Sequence, residues 1–256
     1  MRRLLFLLLL GVCVTANAQS VNKFGRSTDV DSGVATDIWD RANPTVTVGQ
    51  QPIWLAPTAA RIHAIVSNST SDDGDPGAGS IRVFGLQTWD SDETSEDVTL
   101  NGTTPVNTTK SYVIIHRMYQ LTGVGLNVGY IKATAASDAT ITAQINPLEG
   151  QTQMAIYGVP STKVAYMTSF YGSVERDSPT GAELTMKLLY TMDIETAPTL
   201  FLTKQTIGAT DTGPPFSMPF HPYKSFRGPG IIKIQASSDN ADTFVDAGFN
   251  LILLPQ

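Results

Sequence analysis

Cysteine is nearly missing from this 256-residue chain, with Cys13 the only one. One thiol closes no intramolecular disulfide and builds no zinc–thiolate site. Histidine is scarce as well: His63, His116 and His221 stand isolated from one another. His63 and His116 alternate with apolar neighbours, as polar-face strand residues do. His221 lies in Pro219-Phe-His-Pro-Tyr223, read as a rigid loop and the best placed of the three for binding. No nucleophile elbow, phosphate loop or His-Glu-x-x-His pattern occurs. The chain therefore reads as a protein that is not an enzyme and needs no cofactor. Only 16% of residues are charged, the net charge is −6, and the one basic pair is Arg2-Arg3. A nucleic-acid groove needs clustered Lys and Arg, so nucleic acid is excluded as a partner. No amphipathic stretch exceeds about three helical turns, so little helix is expected.

What is present is β-forming. Thr, Ser, Gly, Val, Ile and Ala dominate, and with 41% hydrophobic residues the chain can bury a normal core. Alternation is clear in Ile81-Arg-Val-Phe-Gly, with Ile81, Val83 and Gly85 on one face. It recurs in Ile232-Lys-Ile-Gln-Ala, with Ile232, Ile234 and Ala236 together. Turn clusters such as Ser71-Asp-Asp-Gly-Asp-Pro-Gly77 separate the runs.

The first residues read as an export leader, residues 1–18: basic Arg2-Arg3, an apolar Leu4–Val14 and a small-x-small Ala16-Asn-Ala18. The apolar run is short for a bilayer span, which needs about 20 residues, so any membrane contact would come through this leader alone. Cleavage would take the charge from −6 to −8 and remove Cys13.

Beyond the leader the chain repeats itself. Gly129-Tyr-Ile-Lys-Ala-Thr-Ala-Ala-Ser-Asp138 returns as Gly230-Ile-Ile-Lys-Ile-Gln-Ala-Ser-Ser-Asp239. Pro57–Val66 is echoed from Pro160, and Ser80–Phe84 by Glu183–Lys187. Blocks in one order at nearly constant spacing predict two copies of one unit. The expected architecture is all-β: two tandem jelly-roll-like sandwiches related by duplication, residues 57–148 and 149–256, behind an irregular N-terminal arm, residues 19–56. Asn146-Pro-Leu-Glu-Gly150 marks the expected boundary.

Three residue groups are candidate sites. Phe24, Ile38 and Trp39 punctuate the polar arm and read as anchors that fill a neighbouring molecule's pockets. Asp72, Asp73 and Asp75 have oxygen-ligand spacing for calcium, although the hand-type loop is absent. Trp39, Trp54 and Trp89, with Tyr112, Tyr119 and Tyr130, are candidates for a sugar platform.

Phe24-Gly-Arg-Ser-Thr-Asp-Val-Asp-Ser-Gly33, Asp37-Ile-Trp39 and Glu96-Asp-Val-Thr-Leu-Asn-Gly-Thr-Thr-Pro-Val106 together resemble a family of bacteriophage virion structural proteins, many of them aquatic. Ala155-Ile-Tyr-Gly-Val-Pro160, Ala165-Tyr-Met-Thr168 and Asp246-Ala-Gly-Phe-Asn-Leu-Ile-Leu253 continue the likeness, which spans about residues 23–256. It implies a capsid-building or capsid-associated protein, located in the virion, that self-associates as trimers or larger shells and meets other virion proteins. The competing expectation is an exported two-domain module that binds surface glycans or mediates adhesion.

Overall fold

The computed structural model describes residues 18–42, 51–176, 181–194, 200–240 and 243–256. Residues 1–17 of the expected leader, with Cys13, lie outside them. The fold is all-β. Strands β1 (Gln19–Val30) and β2 (Thr36–Asp37) open the chain. Seven follow: β3 (His63–Ser67), β4 (Ala78–Leu86), β5 (Thr94–Thr99), β6 (Val106–Asn107), β7 (Ile114–Gly123), β8 (Ile131–Ala135) and β9 (Ile141–Ile145). The last seven are β10 (Ile156–Val159), β11 (Lys163–Arg176), β12 (Glu183–Thr191), β13 (Leu202–Thr210), β14 (Phe216–Arg227), β15 (Gly230–Ser238) and β16 (Thr243–Pro255).

One sheet runs β1-β16-β11-β14 and its partner β10-β15-β12-β13, with β2 added beside β15. These two sheets close over a core of Met167, Phe170, Met186, Leu188, Ile232, Ile234, Phe249 and Leu251. Eight strands in that order make a jelly roll. The alternation expected for Ile232, Ile234 and Ala236 holds, and all three enter this core.

Residues 63–145 form a second sandwich, inserted between the first and second strands of the jelly roll. Its sheets are β6-β3-β8-β9 and β5-β4-β7, and Ile65, Ile81, Val83, Ile114, Met118, Ile131 and Ile145 fill it. Ile156 and Ile231 belong to the same cluster. Through Ile156 and Ile231 the outer face of the β10–β15 edge also roofs the second core.

This arrangement corrects two expectations. The N-terminal segment is not an irregular arm: β1 pairs with β16 from Gln19↔Leu253 to Val30↔Thr243. Polar alternation hid the strand, because β1 shows one face to solvent. Gly25 is required there, since a Cβ would lie 2.5 Å from Ala155 N and 2.6 Å from Ile38 O. The strand order also lacks the expected duplication. β3 and β8 are hydrogen-bonded neighbours, whereas their supposed counterparts β11 and β15 lie in opposite sheets. β4 lies across the sandwich from β8, while β12 pairs directly with β15. Similar strands recur because a pleated, half-buried surface selects the same residues. The units are nested, not tandem.

Candidate functional site

The inserted sandwich ends in three loops, residues 71–77, 123–129 and 146–150, knitted together by two buried polar side chains. Asp72 is fully buried. Its Oδ1 accepts from Ala78 N (3.1 Å) and Val128 N (2.8 Å), and its Oδ2 from Gly129 N (2.9 Å) and Ser67 Oγ (2.5 Å). Asn127 is equally buried: Nδ2 donates to Gly129 O (2.7 Å) and Asn146 O (2.8 Å), while Oδ1 accepts from Gly150 N (2.9 Å). Val124 N donates to Gly74 O, and Leu148 N to Asn127 O. Gly123 bends the chain at φ 140°, and a Cβ there would strike Gly77 O.

Loops normally turn polar side chains to water. These display apolar ones: Val124 is 77% exposed, Leu148 68%, Leu126 51% and Val128 45%. An outward-facing apolar tip held by buried hydrogen bonds is suited to contact another surface. Asp72 therefore organises the tip. Its carboxylate oxygens are committed to four protein donors, and only Asp73 and Asp75 of the calcium candidates face solvent. Among the described residues no three His, Cys, Asp or Glu gather as metal ligands.

The other expected site residues are placed as follows. Ile38 and Trp39 are fully buried within their own chain. Consecutive strand-like residues point opposite ways, so Ile38 enters the jelly-roll core and Trp39 the inserted core. Trp39 Nε1 donates to Gln51 O at 3.1 Å. The pair rivets the two units of one molecule and is not available to a neighbour, which corrects the anchor expectation. Phe24 alone of the three reaches the surface, beside an apolar groove shared with Tyr171, Pro215 and Phe216. Trp54 and Tyr112 are core residues, which removes them, with Trp39, from a sugar platform. Tyr119 stacks on Phe84 at 5.5 Å, with Arg117 over its ring at 5.1 Å; Trp89 and Tyr130 are half-buried. His221 is in strand β14, not a loop, and is exposed. His63 is buried; Nδ1 lies 3.0 Å from Arg61 O, and burial lowers its pKa to about 4.

Between the units lies a group of titratable side chains that sequence reasoning did not assemble. Lys23 of β1 is 6% exposed and donates from Nζ to His116 O of β7. His116 Nε2 is 2.5 Å from Glu93 Oε2, and the ring lies 4.6 Å from that of Tyr157 on β10. Burial, with the nearby Arg117 charge, lowers Lys23 to about 7 against an opposing pull from Glu93. Burial also lowers His116, again against Glu93. Burial raises the Glu93 carboxyl, but the hydrogen bond and charge of His116, with Lys23 and Arg117, hold it below its usual range. A second polar contact sits nearby. Asp37 Oδ2 receives Lys233 Nζ at 2.6 Å and Trp54 N at 2.9 Å, and Oδ1 receives Gln235 Nε2 at 3.0 Å. Alternation hinted at Lys233, but its polar face looks into the junction, not into water.

No protein-family model matches the chain, and no curated protein sequence matches it. Among solved structures it is similar to one of the infectious bursal disease virus Gt strain, with 11% identity over 94% of this chain and 72% of that one, at a TM-score of 0.26. It is also similar to the T=1 particles derived from that virus, at 12% identity, 94% and 70% coverage and a TM-score of 0.24. Likeness at that level transfers no residue and no role.

Proposed function

We propose that the protein is a virion structural component, capsid-building or capsid-associated, that acts through contacts between copies and has the apolar tip of the inserted unit as a contact surface. The observation that carries this reading is the tip itself. Asp72 and Asn127 are buried to hold loops in one conformation, and the side chains those loops expose are Val124, Leu126, Val128 and Leu148. Preorganised loops lose little entropy on docking, and apolar side chains taken from water supply the driving force. The jelly-roll order adds an argument by analogy only, since shells and lectins both use it. The motif resemblance of the sequence points the same way.

Light scattering on the purified full chain tests the reading. Trimers or larger assemblies are expected, and Val124→Asp with Leu126→Asp should weaken them at least about tenfold, each buried apolar side chain being worth about 1.5–3 kcal/mol. A chain that remains monomeric at every concentration and retains a ligand on a glycan array is a binding module instead.

A further inference from the structure

We propose that the contact between β1, β7 and β10 is an acid-operated latch, in which protonation of Lys23 and His116 loosens the inserted unit from the jelly roll. Geometry provides the first argument. His116 is 2% exposed, and its Nδ1 is buried with no hydrogen-bond partner. With Nε2 directed at Glu93, the neutral ring keeps a bare lone pair at Nδ1. Protonation would place a hydrogen there, facing no acceptor, and a buried unsatisfied donor is costly. The closed junction therefore selects the neutral ring.

Charge provides the second argument. The groups around His116 are Lys23 from β1, Arg117 beside it on β7, Glu93 from the loop before β5, and Tyr157 from β10. Asp92, which precedes Glu93 in the chain, is engaged elsewhere, 3.4 Å from Lys163 Nζ and 3.1 Å from Thr162 Oγ1. With Lys23 and His116 neutral, Glu93 balances Arg117. With both protonated, two buried cations, Lys23 and His116, and the exposed Arg117 face one carboxylate, and repulsion between the buried pair is poorly screened.

The signs agree. The folded-state value for Lys23 lies at about 7, below the ordinary 10.5, so stability falls as pH drops from about 10.5 to about 7 and stays low beneath. His116 is also depressed, so its contribution is lost as pH falls below 6.5. Glu93 is depressed too, and its contribution disappears as pH falls from 4.5 through the folded value. Each step weakens the junction on acidification. Asp37 and Asp40, whose buried carboxyls are raised, carry the opposite sign. Their partners are Lys233 and Gln153 N, not His116.

Hydrogen exchange on the full chain reads the latch locally once intrinsic rates are corrected for pH. Protection of residues 19–25, 114–118 and 156–159 should fall at least about tenfold between about pH 9 and about pH 5, while the inner strands β11 and β12 hold theirs. His116→Gln with Lys23→Met, which can take no proton, should remove most of that change. Unchanged protection in the wild type, or full pH dependence in the double variant, overturns the proposal. If the variant does not fold, the wild-type ring decides by NMR titration: a His116 that protonates below 6.5 with the junction resonances moving alongside supports the latch. One that protonates at 6.5 or above with no such movement refutes it.

Discussion

At Asp37 the junction between the two units holds one carboxylate against one ammonium. Lys233 is 2.6 Å away, and both side chains are at most 3% exposed. Trp54 N and Gln235 Nε2 occupy the remaining carboxylate positions, and Phe201 lies 4.2 Å from the ammonium. At His116 the same junction holds one carboxylate among three groups able to carry positive charge, with one ring nitrogen left bare. The first cluster is closed in charge and in hydrogen bonds, so it serves as a weld. The second is closed only while two of its members stay neutral. Burial alone does not make a charge cluster permanent; the balance of the partners does.

The largest test of that contrast is Asp37→Ala. It strands Lys233 in a buried site and should cost about 3–5 kcal/mol, read by urea unfolding. Asp37→Leu with Lys233→Met removes both charges but leaves Trp54 N without its acceptor, and should cost about 1–3 kcal/mol, less than the single change. If the single change costs no more than the double one, the weld is not ionic.

A third buried carboxylate sharpens the comparison, because Asp72 is closed by neutral donors alone. Asp72→Ala leaves Ala78 N, Val128 N and Gly129 N without their acceptor and should cost about 2–3 kcal/mol. Asp73→Ala, on the exposed side of the same loop, should stay within about 0.5 kcal/mol. Self-association should fail in the first and persist in the second. Equal effects on association would show that the loop, not its organiser, makes the contact.

A small effect is expected at Lys23, and it has the other sign. Lys23→Met removes a group that resists charging, so the variant should exceed the parent by about 1 kcal/mol, the lost bond to His116 O offsetting part of the gain. The margin should grow as pH falls from about 10.5 to about 7 and stay level below, because the parent lysine is then charged in both states. A variant that loses ground as pH falls would place the charge of Lys23 among the stabilising groups.

Much of the fold was legible where neighbours along the chain decide it. The alternation of Ile232-Lys-Ile-Gln-Ala, the turn residues after Ser71 and the absence of helical periodicity read correctly as strands and loops. The functional features were less legible. Asp72 read as an ion ligand because acidic turn spacing is shared by calcium sites and by carboxylates that cap backbone amides, and only Val128 and Gly129, more than fifty residues away, tell them apart. His116 and Lys233 read as polar-face strand residues, since a face turned to a second domain has the same pattern as one turned to water.

By itself the sequence determined that this chain is all-β, which residues alternate inward and where the turns fall, because those properties depend on local sterics and on burial of every second side chain. Only the tertiary structure decided that β1 closes on β16 across Asn22↔Asn250, that Ile38 and Trp39 serve two cores of one molecule, and that one unit is nested in the other. Backbone hydrogen bonds in a sheet are alike at every position. Which strand meets which is therefore settled by how whole faces pack, and no run of neighbouring residues records it.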